Sequence, residues 1–162
     1  MKRIETAAAS DAQLIARLAD EIWKEHYIAI SGEAHVNYML EKFQSEQVIA
    51  SDIASGRMIY FLLYLNDEAA GYCGVCIEET AVYLSKLYVK KDCRQNGLSG
   101  MMLGYLKERF ASKEYIHLNV NKRNAGSIAA YKKMGFEIVS ALVRDIGSGF
   151  VMDDYTMRLT LR

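Results

Sequence analysis

Three strand-like runs, followed by a glycine-rich turn that opens a helix, constrain this chain more than any other feature. MIYFLLYL (58–65), AAGYCGVCIEE (69–79) and AVYLSKLYVK (81–90) are rich in aromatic and branched residues. Asn66-Asp67 separates the first two, and the pattern predicts an antiparallel meander. After DCRQNG, a helix over 98–111 would place Leu98, Met102, Leu106 and Phe110 on one face. Neither familiar nucleotide fold fits. The meander is not a βαβ unit and the loop lacks G-x-G-x-x-G. Gly100 is followed by Met101-Met102, where a Walker loop needs Lys and Ser or Thr.

The flanking segments complete the element order. KRIETAA (2–8) reads as a strand. Ser10 with Gln13 predicts a capping box for a helix through about residue 28, with Leu14, Ile15, Leu18 and Ile22 as its apolar stripe. Gly32 breaks it, and helices over 33–43 and 45–55 follow, the second ended by Ser55-Gly56. YIHLNV (115–120) is a further strand; Asn124 caps a helix to Met134, and Gly135 stops it. Strands over 136–143 and 150–161 surround the turn Ile146–Gly149. With no proline, repeat or linker, residues 1–162 read as one domain. The class is mixed α/β, helices packed on a mostly antiparallel sheet.

Composition narrows the function classes. No run approaches the ~18 apolar residues of a membrane span, and the N-terminus lacks a secretory apolar core, so a cytoplasmic protein is expected. Cys73 and Cys76 lie three apart in an extended stretch, which points their thiols to opposite faces. Neither a disulfide framework nor a zinc site is expected. The formal charge is zero, which argues against nonspecific nucleic-acid binding. Residues 1–80 carry 6 Lys/Arg against 13 Asp/Glu (−7), and residues 81–162 carry 14 against 7 (+7). That asymmetry fits an anionic ligand on the second half and a cationic one on the first.

The loop RQNGLSG (94–100) follows a strand and opens a helix. Unpaired N–H groups and the helix dipole favour an anion there, and Gly97 and Gly100 admit ligand oxygens close to the backbone. Arg94 can add a bidentate contact. Alone, the loop is equally compatible with a plain glycine-rich helix start. A second segment, NVNKRNAGSIAAYKKMGF (119–136), changes the balance. Together with LYVKKDCRQNGLSGMML (87–103) it resembles the GNAT superfamily of acyl-CoA-dependent N-acetyltransferases. Arg94, Gly97 and Ser99 fall on that family's [QR]-x-x-G-x-[GA] signature. Asn124, Ser127, Tyr131, Gly135 and Phe136 fall on its N-x-x-[AS]-x-x-x-Y-x-x-x-G-F segment. Ser99 stands where the signature has glycine or alanine, and its hydroxyl adds a donor.

The resemblance implies a central, splayed, mostly antiparallel sheet flanked by helices. It also implies acetyl-CoA, its pyrophosphate on Arg94, Gln95, Asn96, Gly97, Leu98, Ser99 and Gly100, and its pantetheine arm along the backbone of Leu87, Tyr88 and Val89. Asn124, Ser127, Tyr131 and Lys133 complete the cofactor set, with Lys90, Lys91, Arg123 and Lys132 as further candidates for the 3′-phosphate end. The implied reaction is direct attack by a primary amine. Freeing an alkylamine of pKa ~10.4 at pH 7 costs roughly 4–5 kcal/mol; a base, a water chain or desolvation of the amine must supply part of it, and Glu79 or its neighbour Glu78 is the expected base. Tyr131 would serve the departing thiolate. Full transfer from a phenol (~10) to a thiolate (~8.5) is uphill by about 2 kcal/mol, so hydrogen-bond donation is the main expectation. Complete transfer would need nearby cations or a helix N-terminus to lower the phenol's pKa. For the acceptor, Trp23, His26, Tyr27, Tyr38 and Phe43 are candidate lining residues, and Glu25, Asp153 and Asp154 would suit a cation. Small amines and protein N-termini both stay open, as do a non-catalytic acyl-CoA-binding module and a nucleotide-phosphate-binding protein. No metal is implied. The resemblance allows a homodimer.

Overall fold

The computed structural model describes residues 1–162. Seven strands form one sheet: β1 (Lys2–Thr6), β2 (Ile59–Leu65), β3 (Glu68–Ile77), β4 (Ala81–Val89), β5 (Tyr115–Asn121), β6 (Glu137–Gly147) and β7 (Phe150–Thr160). Five helices cover it: α1 (Ala12–Ser31), α2 (Glu33–Phe43), α3 (Glu46–Ala54), α4 (Leu98–Arg109) and α5 (Ala125–Lys133). The strand order is β1-β2-β3-β4-β5-β7-β6, and every pairing is antiparallel except β4 with β5. No helix is long and apolar enough to cross a membrane.

The parallel pair matters most for function. β4 and β5 pair only over Ala81–Tyr83 and Tyr115–His117, so the later half of β4 has β3 on one side and no strand on the other. The sheet separates two apolar layers. Phe61, Leu84, Met102, Leu106 and Phe136 belong to the larger, beneath α4 and α5; Ile15, Ile22, Trp23, Tyr60 and Tyr72 belong to the smaller, beneath α1–α3. Cys73 packs in the first and Cys76 against the second, the divergence that strand alternation requires.

Three local expectations are corrected. Ser10 does not cap α1: a 3-10 turn over Ala9–Asp11 precedes the helix, and the Ala8 N–H donates to Asp11 Oδ2 at 2.8 Å. Helix α1 also runs on to Ser31, where Gly32, at φ +90°, ends it. The last hairpin is longer than its sequence pattern, with β6 reaching Gly147 and a turn at Ser148-Gly149.

Candidate active site

The loop after β4 is built to present main-chain donors. Gln95 and Gly97 both have left-handed backbone, at φ +66° and +76°. Asn96 fixes the turn by donating from Nδ2 to the Cys93 and Arg94 carbonyls at 2.9 and 3.2 Å. No hydrogen bond within the protein uses the N–H of any residue from Gln95 to Gly100; the α4 ladder starts with Met101 donating to Gly97 at 2.9 Å. A side chain added at Gly100 would meet nothing within 4 Å. Six free amides at a helix N-terminus, with open space before them, fit a diphosphate. Leu98 contributes only its N–H, since its side chain is buried.

Two cations at this loop differ from expectation. Arg94 turns away from the amides: its Nη2 donates to Glu25 Oε1 at 2.6 Å and its Nε to the Val89 carbonyl at 3.0 Å. It ties the loop to α1 and β4, and Glu25 is thereby spent on an ion pair rather than on an acceptor. Lys2, which the sequence did not single out, sets its Nζ 2.8 Å from the Asn96 carbonyl. Its position 94 residues upstream left no local signal. Lys91, Arg123, Lys132 and Lys133 are exposed, and Lys90 lies 3.8 Å from Glu21.

Along β4, Lys90 donates to the Ala70 carbonyl and the Tyr88 carbonyl abuts Gly71, so both face β3. Alternation then turns the main-chain groups of Leu87 and Val89 toward the open edge. Tyr88 contributes its side chain instead, with its hydroxyl 3.0 Å from that of Tyr27.

Helix α5 delivers Tyr131 through local chemistry. Asn124 caps the helix by accepting from the Ser127 N–H at 3.3 Å. At the other end Phe136 N–H donates to the Tyr131 carbonyl and Gly135 N–H to the Lys132 carbonyl, with Gly135 at φ +102°. This is a Schellman motif, and its hydrophobic contact is the Tyr131–Phe136 ring pair, 5.4 Å between centroids. The tyrosine and the Gly-Phe four residues on therefore form one device. Tyr131 is half-buried, and its hydroxyl makes no hydrogen bond within the protein. Burial pushes the phenol well above its ordinary value, and Tyr27 and Cys73 push it further. No cation lowers it, so the condition for complete proton transfer is not met.

His26 supports this end of the site. Its Nε2 lies 3.0 Å from Asn124 Nδ2, and burial with Arg94 nearby lowers its pKa below the ordinary value. The neutral ring accepts from the asparagine amide, joining α1 to the start of α5.

Where β4 and β5 part, a cavity of 510 Å³ opens between α1–α3 and the β6–β7 hairpin. Trp23 and Tyr27 line it, as does Phe43. Trp23 is nonetheless 4% exposed and donates to Tyr72, which donates to Gln44; Gln44 in turn donates to Tyr60. Its indole is a wall of the core, not a mobile contact. Tyr38 and His26 are outside the lining; Tyr38 donates to the Ile146 carbonyl at 2.7 Å and packs on Phe150, fastening α2 to the hairpin. Asp153 pairs with Lys122 at 2.7 Å, while its neighbour Asp154 is 7% exposed and lines the cavity. Burial raises the pKa of the Asp154 carboxyl above the usual range.

Glu79 does not occupy the place expected of a base. It is exposed at the β3–β4 turn, outside the lining, with its carbonyl accepting from Lys113 at 3.0 Å. Glu78 is likewise exposed and sits 2.6 Å from His117 Nε2. Ser85 and Lys86, in contrast, line the cavity without having been singled out. Gly74 pairs with Lys86 and Val75 with Leu84, which leaves Ser85 as an extra residue. This β-bulge turns two consecutive side chains to the same side. The trace of it in the sequence is the polar pair interrupting the apolar pattern of AVYLSKLYV.

Comparison with known proteins bears on the fold and the family. A family model described as the acetyltransferase (GNAT) family matches residues 15–136. The PaiA N-acetyltransferase of Thermoplasma acidophilum, solved in complex with coenzyme A, superposes with a TM-score of 0.83 at 17% identity, covering 99% of each chain. The ribosomal-protein-S18-alanine N-acetyltransferase of Escherichia coli gives 0.75 at 20% identity, covering 99% of this chain and 94% of that one. A GCN5-related N-acetyltransferase of Rhodopseudomonas palustris gives 0.82 at 13% identity, covering 99% and 96%. At these identities the superpositions speak for the fold, and the family match speaks for descent. The chain belongs to the GNAT family of acetyltransferases, which transfer acyl groups from coenzyme A.

Proposed function

We propose that this protein acetylates a primary amine by direct transfer from acetyl-CoA within a ternary complex. The observation that carries the reading is the run of six unused amides, Gln95–Gly100, beside an open β4 edge and a hydroxyl of Tyr131 free of partners. Bound there, the coenzyme would supply an acetyl thioester, an acyl group already activated toward amines.

The protein's own groups supply the rest. The amides of the loop hold the diphosphate, and Leu87 and Val89 orient the arm as an added strand would be oriented. A main-chain N–H on that edge would donate to a developing oxyanion, an effect worth roughly 3–4 kcal/mol elsewhere. Asp154 takes the base role in place of Glu79: it is buried in the cavity wall and close enough to Tyr27 to raise that phenol's pKa. Its own raised pKa matches it better to a proton-accepting task near neutral pH. Tyr131 remains protonated and donates a hydrogen bond toward the sulfur.

The test is steady-state kinetics of Tyr131→Phe beside coenzyme binding. The variant should lose about 10- to 1000-fold in kcat while binding acetyl-CoA as before. Undiminished turnover would remove Tyr131 from the reaction. Binding without acetyl transfer to any amine would leave only an acyl-CoA-binding module.

A further inference from the structure

The cavity wall carries charges of both signs, and most of them are already satisfied. Asp52 pairs with Arg57 at 3.3 Å. Lys42 donates to the Ile146 carbonyl, and Asp145 accepts from the Gly147 N–H at 2.7 Å. Arg144 is exposed, with Nη2 against the Met152 sulfur. Of the lining charges that are not exposed, two have no ion pair. One is Asp154, which Arg144 and Lys122 influence without coming within ion-pair distance. The other is Lys86, whose one partner is the Ser85 hydroxyl, 2.6 Å away.

These two free charges occupy different parts of the cavity. Asp154 stands opposite Asn121 at the end of β5, three residues before Asn124, which meets His26 of α1 at the coenzyme end. Lys86 stands opposite Gly74 on β3, which abuts Met58, whose N–H donates to the Asp52 carbonyl of α3. Tyr83 stands between, influenced by Asp154 and Arg144 and also by Cys76. An amine held for attack would rest near Asp154, leaving its remote end to meet a half-buried ammonium that lacks a counter-ion. A second ammonium at that end would be repelled, whereas an oxyanion would restore the missing pairing.

Resting on the acetyltransfer reading above, we infer that the acceptor is an amine that also bears an anionic group, with its nitrogen at Asp154 and Tyr27 and its oxyanion on Lys86. Lys86 is then the residue that determines acceptor class. A carboxylate and a phosphate share the chemistry required, and the assay separates them.

The experiment gives the wild-type protein acetyl-CoA and four acceptor sets: amino acids and short peptides with free carboxylates, aminoalkyl phosphates, uncharged alkylamines of matched length, and diamines and polyamines. Free thiol is read, and acetylated products are identified by mass. The carboxylate or phosphate set should give the highest kcat/KM. In Lys86→Met the advantage of anion-bearing over uncharged acceptors should collapse by at least about 30-fold, mostly through KM. Lys86→Glu should shift the preference toward diamines. A wild-type preference for uncharged or polycationic amines overturns the inference while leaving acetyltransfer standing, and so does a Lys86→Met protein that keeps its selectivity. The wild-type ranking decides the matter even where a variant fails to fold. Coenzyme binding with transfer to no set overturns both readings.

Discussion

Lys86 imposes a cost on the fold that its proposed role would explain. Burial lowers its pKa from 10.5 to about 8. Below pH 8 the lysine is protonated in both folded and unfolded chains, and the folded state bears the full cost of the charge, up to about 3 kcal/mol. Between pH 8 and 10.5 only the unfolded chain holds the proton, so stability attributable to this group rises with pH. Lys86→Met should therefore be more stable than the wild type at pH 7, with the difference fading toward pH 10. Urea unfolding at the two pH values measures this, and coincident midpoints at pH 7 would mean that the ammonium is well solvated. Asp154 makes the complementary case in activity. Its carboxylate must be unprotonated to accept a proton, so kcat/KM should fall as pH drops through its raised pKa. Asp154→Asn should lower kcat and abolish that acid limb in a pH–rate profile; a retained limb assigns the base elsewhere. Lys86 carries no site signal in the sequence alone, and Asp154 carries one only in company with Glu25 and Asp153. Asp154 could not be told from Asp153, because which of two adjacent strand residues faces the cavity depends on register with β5 and β6.

At the level of elements, legibility tracked how local the determining interactions are. Helix α5 was readable at both ends, since Asn124 and Gly135 act within a few residues of the helix they bound. The start of α1 departs from the sequence pattern because Asp11 accepts from the Ala8 N–H, the part expected of Gln13 toward Ser10, so the box is set two residues earlier. The β4 bulge leaves only the Ser85-Lys86 pair as a trace, for a different reason: an extra residue is defined only against a partner strand. The α5 motif yields a direct prediction. Gly135 has φ +102°, and a Cβ there would lie 3.1 Å from Leu159 Cδ1. Gly135→Ala should cost about 1–2 kcal/mol of stability, from left-handed strain plus that contact. Because the same turn holds the Tyr131 backbone, kcat should fall along with the unfolding midpoint. A destabilised variant with unaltered kcat would show that the turn does not position the phenol.

Across the whole molecule, the opposed charges of the two halves prove to be partly internal wiring. Glu21 and Glu25 on α1 face Lys90 and Arg94 at the end of β4, so acidic first-half residues neutralise basic second-half ones where the layers meet. The asymmetry was read as a field for two ligands because a linear sequence does not show which charges fold against each other. What it leaves unneutralised at the loop is the set of amides, joined by Lys2 from the first strand. Binding there should therefore depend on the diphosphate and on the open β4 edge together. Coenzyme A at about 100 times its Kd should stabilise the fold by about 2.7 kcal/mol, a rise in Tm of roughly 5–10 °C for a chain of this size. ADP carries the diphosphate without the pantetheine arm and should give a clearly smaller shift at equal concentration. Equal shifts from ADP and coenzyme A would mean that the loop grips phosphate alone and that the gap between β4 and β5 takes no part in binding.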